Sequence, residues 1–120
     1  MEQLYGPHKD WSRDDSARLF AMSKPNMRTV LSYLANQSPN RRVSLPELSG
    51  ILFEEGTDPN LNRISGTFNG LTRNSQKIRG RDSGVWPIFY DQHGISGYFE
   101  YWMDAATAEK FREIARSFHS

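Results

Sequence analysis

An α+β domain, built as a helical bundle with a C-terminal β-hairpin and a flanking helix on either side, is what this 120-residue sequence predicts. Three observations carry the expectation. Apolar residues recur at helical spacing in successive stretches of the chain. Two aromatic runs of strand length, 85-90 and 98-103, are joined by a turn segment that holds Gly94 and Gly97. The helical stretches open on start signals that supply a capping side chain or a first-turn proline. A chain of this length fits one core, so residues 11-120 read as a single domain. Residues 1-10 mix Gly, Pro and charge without periodicity and read as a loose terminal segment.

Taken in order, Ser12 ahead of Asp14 and Asp15 starts a first helix over 13-22, hydroxyl at the cap and acids near the positive end of the helix dipole. Ser23 and Pro25 signal a second helix over 25-37, with Ser23 as its cap and Met27, Val30, Leu31 and Leu34 on one face. After the loop Ser38-Pro39-Asn40 comes a short extended piece, Arg41-Arg42-Val43. Ser44-Leu45-Pro46-Glu47 is then a capping box that opens a third helix over 45-53, with the stripe Leu45, Leu48, Ile51 and Leu52. A polar turn leads into a fourth helix over 61-77. Its Ile64, Phe68, Leu71, Ser75 and Ile78 share one line and face the core, while Asn62, Arg63, Gly66, Asn69, Gly70, Arg73 and Lys77 point away. Glycine costs about 1 kcal/mol at a helix site relative to Ala, so Gly66 and Gly70 call for a reason. Close crossing by another helix, close approach of a ligand, and no more than a weak helix are the three readings. Asp104 caps a last helix over 105-118, with Ala108, Phe111, Ile114, Ala115 and Phe118 inward.

Charge is segregated along this frame. Residues 59-81 carry five basic side chains and no acid, whereas 82-104 carry four acids and no Lys or Arg, in a chain of formal net charge +1. An acid-free basic helix is what a phosphate backbone selects, since each neutralised phosphate releases a counterion; the alternative is a merely solvated helix face, the usual meaning of a charge run. Zero cysteines exclude disulfides, thiolate metal sites and cysteine nucleophiles. The first residues lack the basic-then-apolar pattern of a signal peptide, and no apolar run approaches membrane-spanning length, so a cytoplasmic protein off the membrane is expected. No phosphate loop, dinucleotide fingerprint, nucleophile elbow or zinc-protease motif is present. His93 near Asp91 reads as ordinary turn chemistry rather than a metal or acid-base pair. The reading is therefore non-catalytic, with no metal and no cofactor.

The order helix, helix, extended piece, helix, basic helix, hairpin, helix resembles a winged helix-turn-helix domain, with the core over 27-103. In detail the chain is similar to a group of small bacterial winged-helix proteins. The likeness lies in the Trp11 helix, in Arg42-Val43-Ser44-Leu45-Pro46-Glu47-Leu48, in the glycine-bearing run from Arg63 to Leu71, in Trp86-Pro87-Ile88, and in Tyr101-Trp102-Met103-Asp104. The resemblance implies that helix 61-77 enters the major groove of double-stranded DNA. Its candidate contacts are Asn62, Arg63, Thr67, Asn69, Arg73, Lys77, Arg79 and Arg81. Of these, Arg63, Asn69 and Arg73 would read base edges, and Lys77, Arg79 and Arg81 would hold phosphates. Arg41 and Arg42 are further candidates for a backbone contact, weighed against a solvated loop.

One feature departs from the DNA-binding members: the hairpin carries Asp91 and Glu100 and no basic residue, a charge that phosphate repels. The competing expectation is accordingly a protein-protein interaction module that presents this acidic, aromatic hairpin 85-103. Its aromatics, Trp86, Phe89, Tyr90, Tyr98, Tyr101 and Trp102, read first as cover for a small core. For the DNA-binding reading, a small transcription regulator acting as a homodimer is expected, because pairing doubles the contacts on a symmetric site. Helices 13-22 and 105-118 are the expected dimer surface.

Overall fold

The computed structural model describes residues 4-5, 11-37, 39, 41-53, 61-80, 86-92, 95 and 97-118, with backbone alone for Leu4, Tyr5, Phe53, Leu61, Asn62, Arg63 and Ser65. Along it run β1 (Leu4–Tyr5), α1 (Arg13–Met22), α2 (Pro25–Gln37), β2 (Val43–Ser44), α3 (Leu45–Phe53), α4 (Leu61–Arg79), β3 (Phe89–Asp91), β4 (Glu100–Trp102) and α5 (Ala105–Phe118). The chain is thus α+β, a set of helices against one small antiparallel sheet of order β1-β3-β4-β2. Val43 lies opposite Tyr101 and Ser44 opposite Glu100, so β4 is held between the piece that precedes α3 and its own hairpin partner.

The caps form where their residues predict them, with one exception. Ser12 Oγ accepts from the Asp15 amide at 3.0 Å, Ser44 Oγ from the Glu47 amide at 3.3 Å, and Asp104 Oδ1 from the Thr107 amide at 2.8 Å. Ser23, expected to cap α2, instead donates its hydroxyl back to the Leu19 carbonyl at 2.6 Å and so closes α1. Lys24 takes the position before Pro25, its carbonyl accepting from the Arg28 amide at 3.0 Å. α4 runs two residues past the expected end at 77 and stops at Gly80, whose amide still reaches the Gln76 carbonyl at 2.9 Å while its φ of 95° turns the following chain out of the helix. That left-handed geometry favours glycine.

The two hairpin strands are shorter than the aromatic runs that predict them, three residues each. β1 adds an edge strand within the terminal segment expected to be loose. A two-residue strand is too short to show alternation, so only the partner strand reveals it.

One core unites the elements. Trp11, Leu19 and Phe20 come from α1 and its lead-in, and Met27, Val30, Leu31 and Leu34 from α2. Ile64, Phe68 and Leu71 come from α4, and Ala108, Phe111 and Ile114 from α5. On α3, Leu48 is fully buried while Ile51, placed on the stripe by spacing, sits at its exposed edge. One face of the hairpin joins this core. Tyr101 stacks on Phe68 with ring centroids 4.6 Å apart, and Trp86 donates its indole N–H to Thr72 Oγ1 at 2.9 Å, pinning the hairpin entry to α4. Aromatic overlap of this kind contributes beyond the area it buries.

The terminal helices, expected to offer a dimer surface, use most of their apolar stripes within the chain, although Met22 and Phe118, the latter expected inward, are exposed at their ends. Leu19 and Phe20 of α1 and Phe111 and Ile114 of α5 are all buried. Arg13 pairs with Glu113, Lys110 donates to the Trp11 carbonyl at 2.7 Å, and Arg112 donates to the Ala35 carbonyl at 2.7 Å. Among the described residues no helix is long and apolar enough to cross a membrane.

Candidate nucleic-acid interface

The inward line of α4 is as the spacing predicts: Ile64, Phe68, Leu71 and Ser75 are buried and Ile78 is half-buried. The opposite line is therefore turned to solvent. Gly66, Asn69, Arg73 and Lys77 are exposed, with Thr67 and Gly70 half-buried beside them. This line forms one wall of a cavity of about 420 Å³. Gly66, Thr67, Gly70, Arg73, Asn74 and Lys77 supply that wall, and Met22, Lys24, Asn26 and Met27, at the corner between α1 and α2, supply the other.

Gly66 and Gly70 face this open space. A methyl group at either position would meet no described residue of another element within 4 Å, so close helix crossing within the chain is not why they are glycine. Their missing side chains leave backbone exposed on the floor between Arg73 and the corner.

The corner itself is held by hydrogen bonds that absorb the last carbonyls of α1, groups with no partner inside their own helix. Leu19 O takes the Ser23 hydroxyl, and Phe20 O takes the Ser23 amide at 3.2 Å and Arg28 Nε at 3.1 Å. Ala21 O takes a second Arg28 nitrogen at 3.1 Å, and Met22 O takes Asn74 Nδ2 at 3.4 Å. Arg28 also lies 4.4 Å over the Phe118 ring. Residues from α2, α4 and α5 thus fix where Lys24 and Asn26 stand relative to α4.

Of the candidate contact residues, Asn69, Arg73 and Lys77 come together on the exposed line and Thr67 borders it. Arg79 does not join them. It lies on the flank toward α1, 3.6 Å from Asp15 and 5.2 Å over the Trp11 ring, and is tied into the fold rather than presented for phosphate. The side chains of Asn62 and Arg63, and Arg81 and His93 altogether, lie outside the described residues. Arg41 and Arg42 are also engaged internally. Arg41 reaches Glu47 Oε1 at 2.5 Å and Gln37 Oε1 at 2.9 Å, and the Glu47 carboxylate and then the Tyr33 hydroxyl raise its pKa from the ordinary arginine value.

Arg42 explains the acids of the hairpin. Asp91 and Glu100 sit opposite each other in the ladder, and both are buried. Arg42 reaches Asp91 at 3.1 Å and Glu100 at 3.9 Å, its guanidinium 4.3 Å over the Trp102 ring. The expected acidic wing surface is therefore an internal ion cluster, because strand alternation puts Asp91, Glu100, Phe89 and Trp102 on the face to which β2 delivers Arg42. Among the described residues of the hairpin end, Ile95, Tyr98 and Phe99 are exposed apolar side chains.

Sequence reasoning missed Lys24, Asn26 and Asn74. A lysine immediately before the first-turn proline of α2, where helices favour Ser, Thr, Asp or Asn, was the available signal. Among the described residues no group of three or more His, Cys, Asp or Glu is placed to hold a metal ion. Comparison with protein-family models, with curated proteins and with solved structures returns no match for this chain.

Proposed function

We propose that this protein binds double-stranded DNA sequence-specifically through α4, as a small, non-catalytic transcription regulator of the winged helix-turn-helix type. The single observation that carries the reading is the exposed line of α4. It presents Asn69, Arg73 and Lys77 beside two glycines, faces Lys24 across a cavity, and has no acidic side chain among the described residues that line it. Connectivity supports the same reading. β2 precedes the α3–α4 pair and closes on β4, so the hairpin is anchored at the flank of α4, where a wing belongs. Inward pairing of Asp91 and Glu100 with Arg42 weakens the electrostatic objection to a DNA-facing hairpin, since both acids are buried and one of the two negative charges is offset.

In this reading Arg73 and Asn69 pair with base edges, two-point contacts worth about 1–3 kcal/mol each, and Lys77 holds phosphate. Two copies on a symmetric site would double these contacts, through a surface other than the buried stripes of α1 and α5. Titration of mixed-sequence duplex against salt tests the proposal. Affinity is expected to fall on a straight log-log line whose slope reflects several phosphates. Absence of binding at ~50 mM salt would sink it. The competing reading, an interaction module, then draws on the exposed Ile95, Tyr98 and Phe99 at the hairpin end rather than on acidic charge. Within the DNA reading, Arg73→Ala should relax sequence preference and Lys77→Ala should weaken all duplexes alike. Equal losses on specific and random duplex for both would remove the base-reading role from Arg73.

A further inference from the structure

The cavity has two walls, and the second is not part of the helix that reads DNA. Lys24 is exposed on it, and the amides of Asn26 and Met27 open α2 there. No described side chain accepts from those amides, and the Ser23 hydroxyl is turned to Leu19 O instead. Facing them are Arg73 and Lys77, with the open surfaces of Gly66 and Gly70 between. The hydrogen bonds from Ser23, Arg28 and Asn74 to the end of α1 hold this wall in place before any ligand arrives. A cavity with cations on both sides, no described acid, amide donors at one edge and a glycine floor matches a tetrahedral oxyanion on a chain that must pass through, and a phosphodiester fits that description.

We infer that the α1–α2 corner is the second jaw of a phosphate clamp: Lys24 and the first-turn amides of α2 hold, against Lys77, a backbone phosphate of the duplex whose bases Arg73 and Asn69 read. The inference rests on the DNA-binding reading and deepens it. It makes Lys24 a phosphate contact on a different element from the recognition helix. It also makes the groove width, set by Gly66 and Gly70, part of the binding geometry.

The test is a salt series with a mixed-sequence duplex of about 20 base pairs, comparing the unmodified protein with Lys24→Ala and Lys24→Arg. Removing one phosphate contact should reduce the log-log slope by about 0.9, so the affinity lost between about 50 and about 200 mM salt shrinks by roughly threefold. Lys24→Arg, which keeps the charge, should restore the slope. A second arm replaces single phosphates in the duplex by neutral methylphosphonates. One position should weaken the unmodified protein by several-fold and Lys24→Ala by a clearly smaller factor, the signature of a direct pair in a double-mutant cycle. If the unmodified protein binds and Lys24→Ala shows an unchanged slope with no coupled phosphate, the clamp is wrong while α4 binding stands. If the unmodified protein does not bind duplex at all, the DNA-binding reading itself fails, and the clamp with it.

Discussion

Arg42 shows how one side chain changes the meaning of its neighbours. It supplies positive charge to Asp91 and Glu100, which face each other in a ladder and are both buried. Removing one partner of a buried ion pair costs more than the pair contributes, because the remaining charge stays desolvated. The Arg42 side chain is itself 37% exposed, so water screens part of this. Arg42→Ala is therefore expected to lower unfolding free energy by about 2 kcal/mol, read from urea denaturation; an unmoved midpoint would show that the acids do not depend on it. Tyr101 makes a pH-dependent contribution. Burial, and then the neighbouring Tyr90, push its hydroxyl above the ordinary tyrosine value. The folded state thus holds this proton more tightly than the unfolded chain does. The corresponding stability is complete below the unfolded value of about 10 and is lost as pH rises beyond it. Denaturation curves taken at rising alkaline pH should decline more steeply for the unmodified protein than for Tyr101→Phe, and parallel declines would refute the assignment.

At the level of elements, α4 carries an internal conflict between folding and the groove. Its glycines weaken the helix and relieve no crowding, since a methyl group at Gly66 or Gly70 would meet no other described element within 4 Å. Gly66→Ala and Gly70→Ala should each stabilise the protein by about 0.5–1 kcal/mol, visible as a rise in Tm of a few degrees. The same changes should weaken duplex binding, because each adds a methyl group to the floor of the cavity. Stabilisation with undiminished affinity would show that DNA does not approach that floor. The α1–α2 corner has the opposite character. Arg28 bonds to both Phe20 O and Ala21 O, so Arg28→Ala takes the donor from Ala21 O, leaves Phe20 O with the Ser23 amide alone, and loosens the wall that carries Lys24.

For the molecule as a whole, the flanking helices belong to the fold and are not appendages to a smaller core. α5 places Ala108, Phe111 and Ile114 in the same cluster as Leu31 and Leu34 of α2 and Leu19 of α1, and its Lys110 and Arg112 bond to the main chain of Trp11, just ahead of α1, and of Ala35 in α2. Phe111→Ala should cost about 3–5 kcal/mol, the range for emptying a buried aromatic site. In a domain of this size that is a large part of the total stability. Thermal unfolding followed by circular dichroism should still show one transition, at a markedly lower temperature. A loss below 1 kcal/mol would mean that α5 is only loosely attached.

The helices were legible in the sequence because their information is local. Ser12, Ser44 and Asp104 cap the helices they precede, and the line Ile64, Phe68, Leu71 and Ser75 turns inward as its spacing requires. A helix closes its hydrogen bonds within a few residues, so periodicity and caps define it with little outside help. The exposed side of α4, with Asn69, Arg73 and Lys77, follows from the same periodicity. What only the tertiary structure decided depends on contacts distant along the chain. Arg42 meets Asp91 across 49 residues, turning an apparent acidic wing into an internal cluster. Arg79 is drawn from the basic run to Asp15 and Trp11. Asn74 reaches Met22 across 52 residues and helps bring Lys24 to the groove. Charge along a sequence gives the inventory of ionic groups; which of them remain available to a ligand is set by the partners that folding brings within a few ångströms.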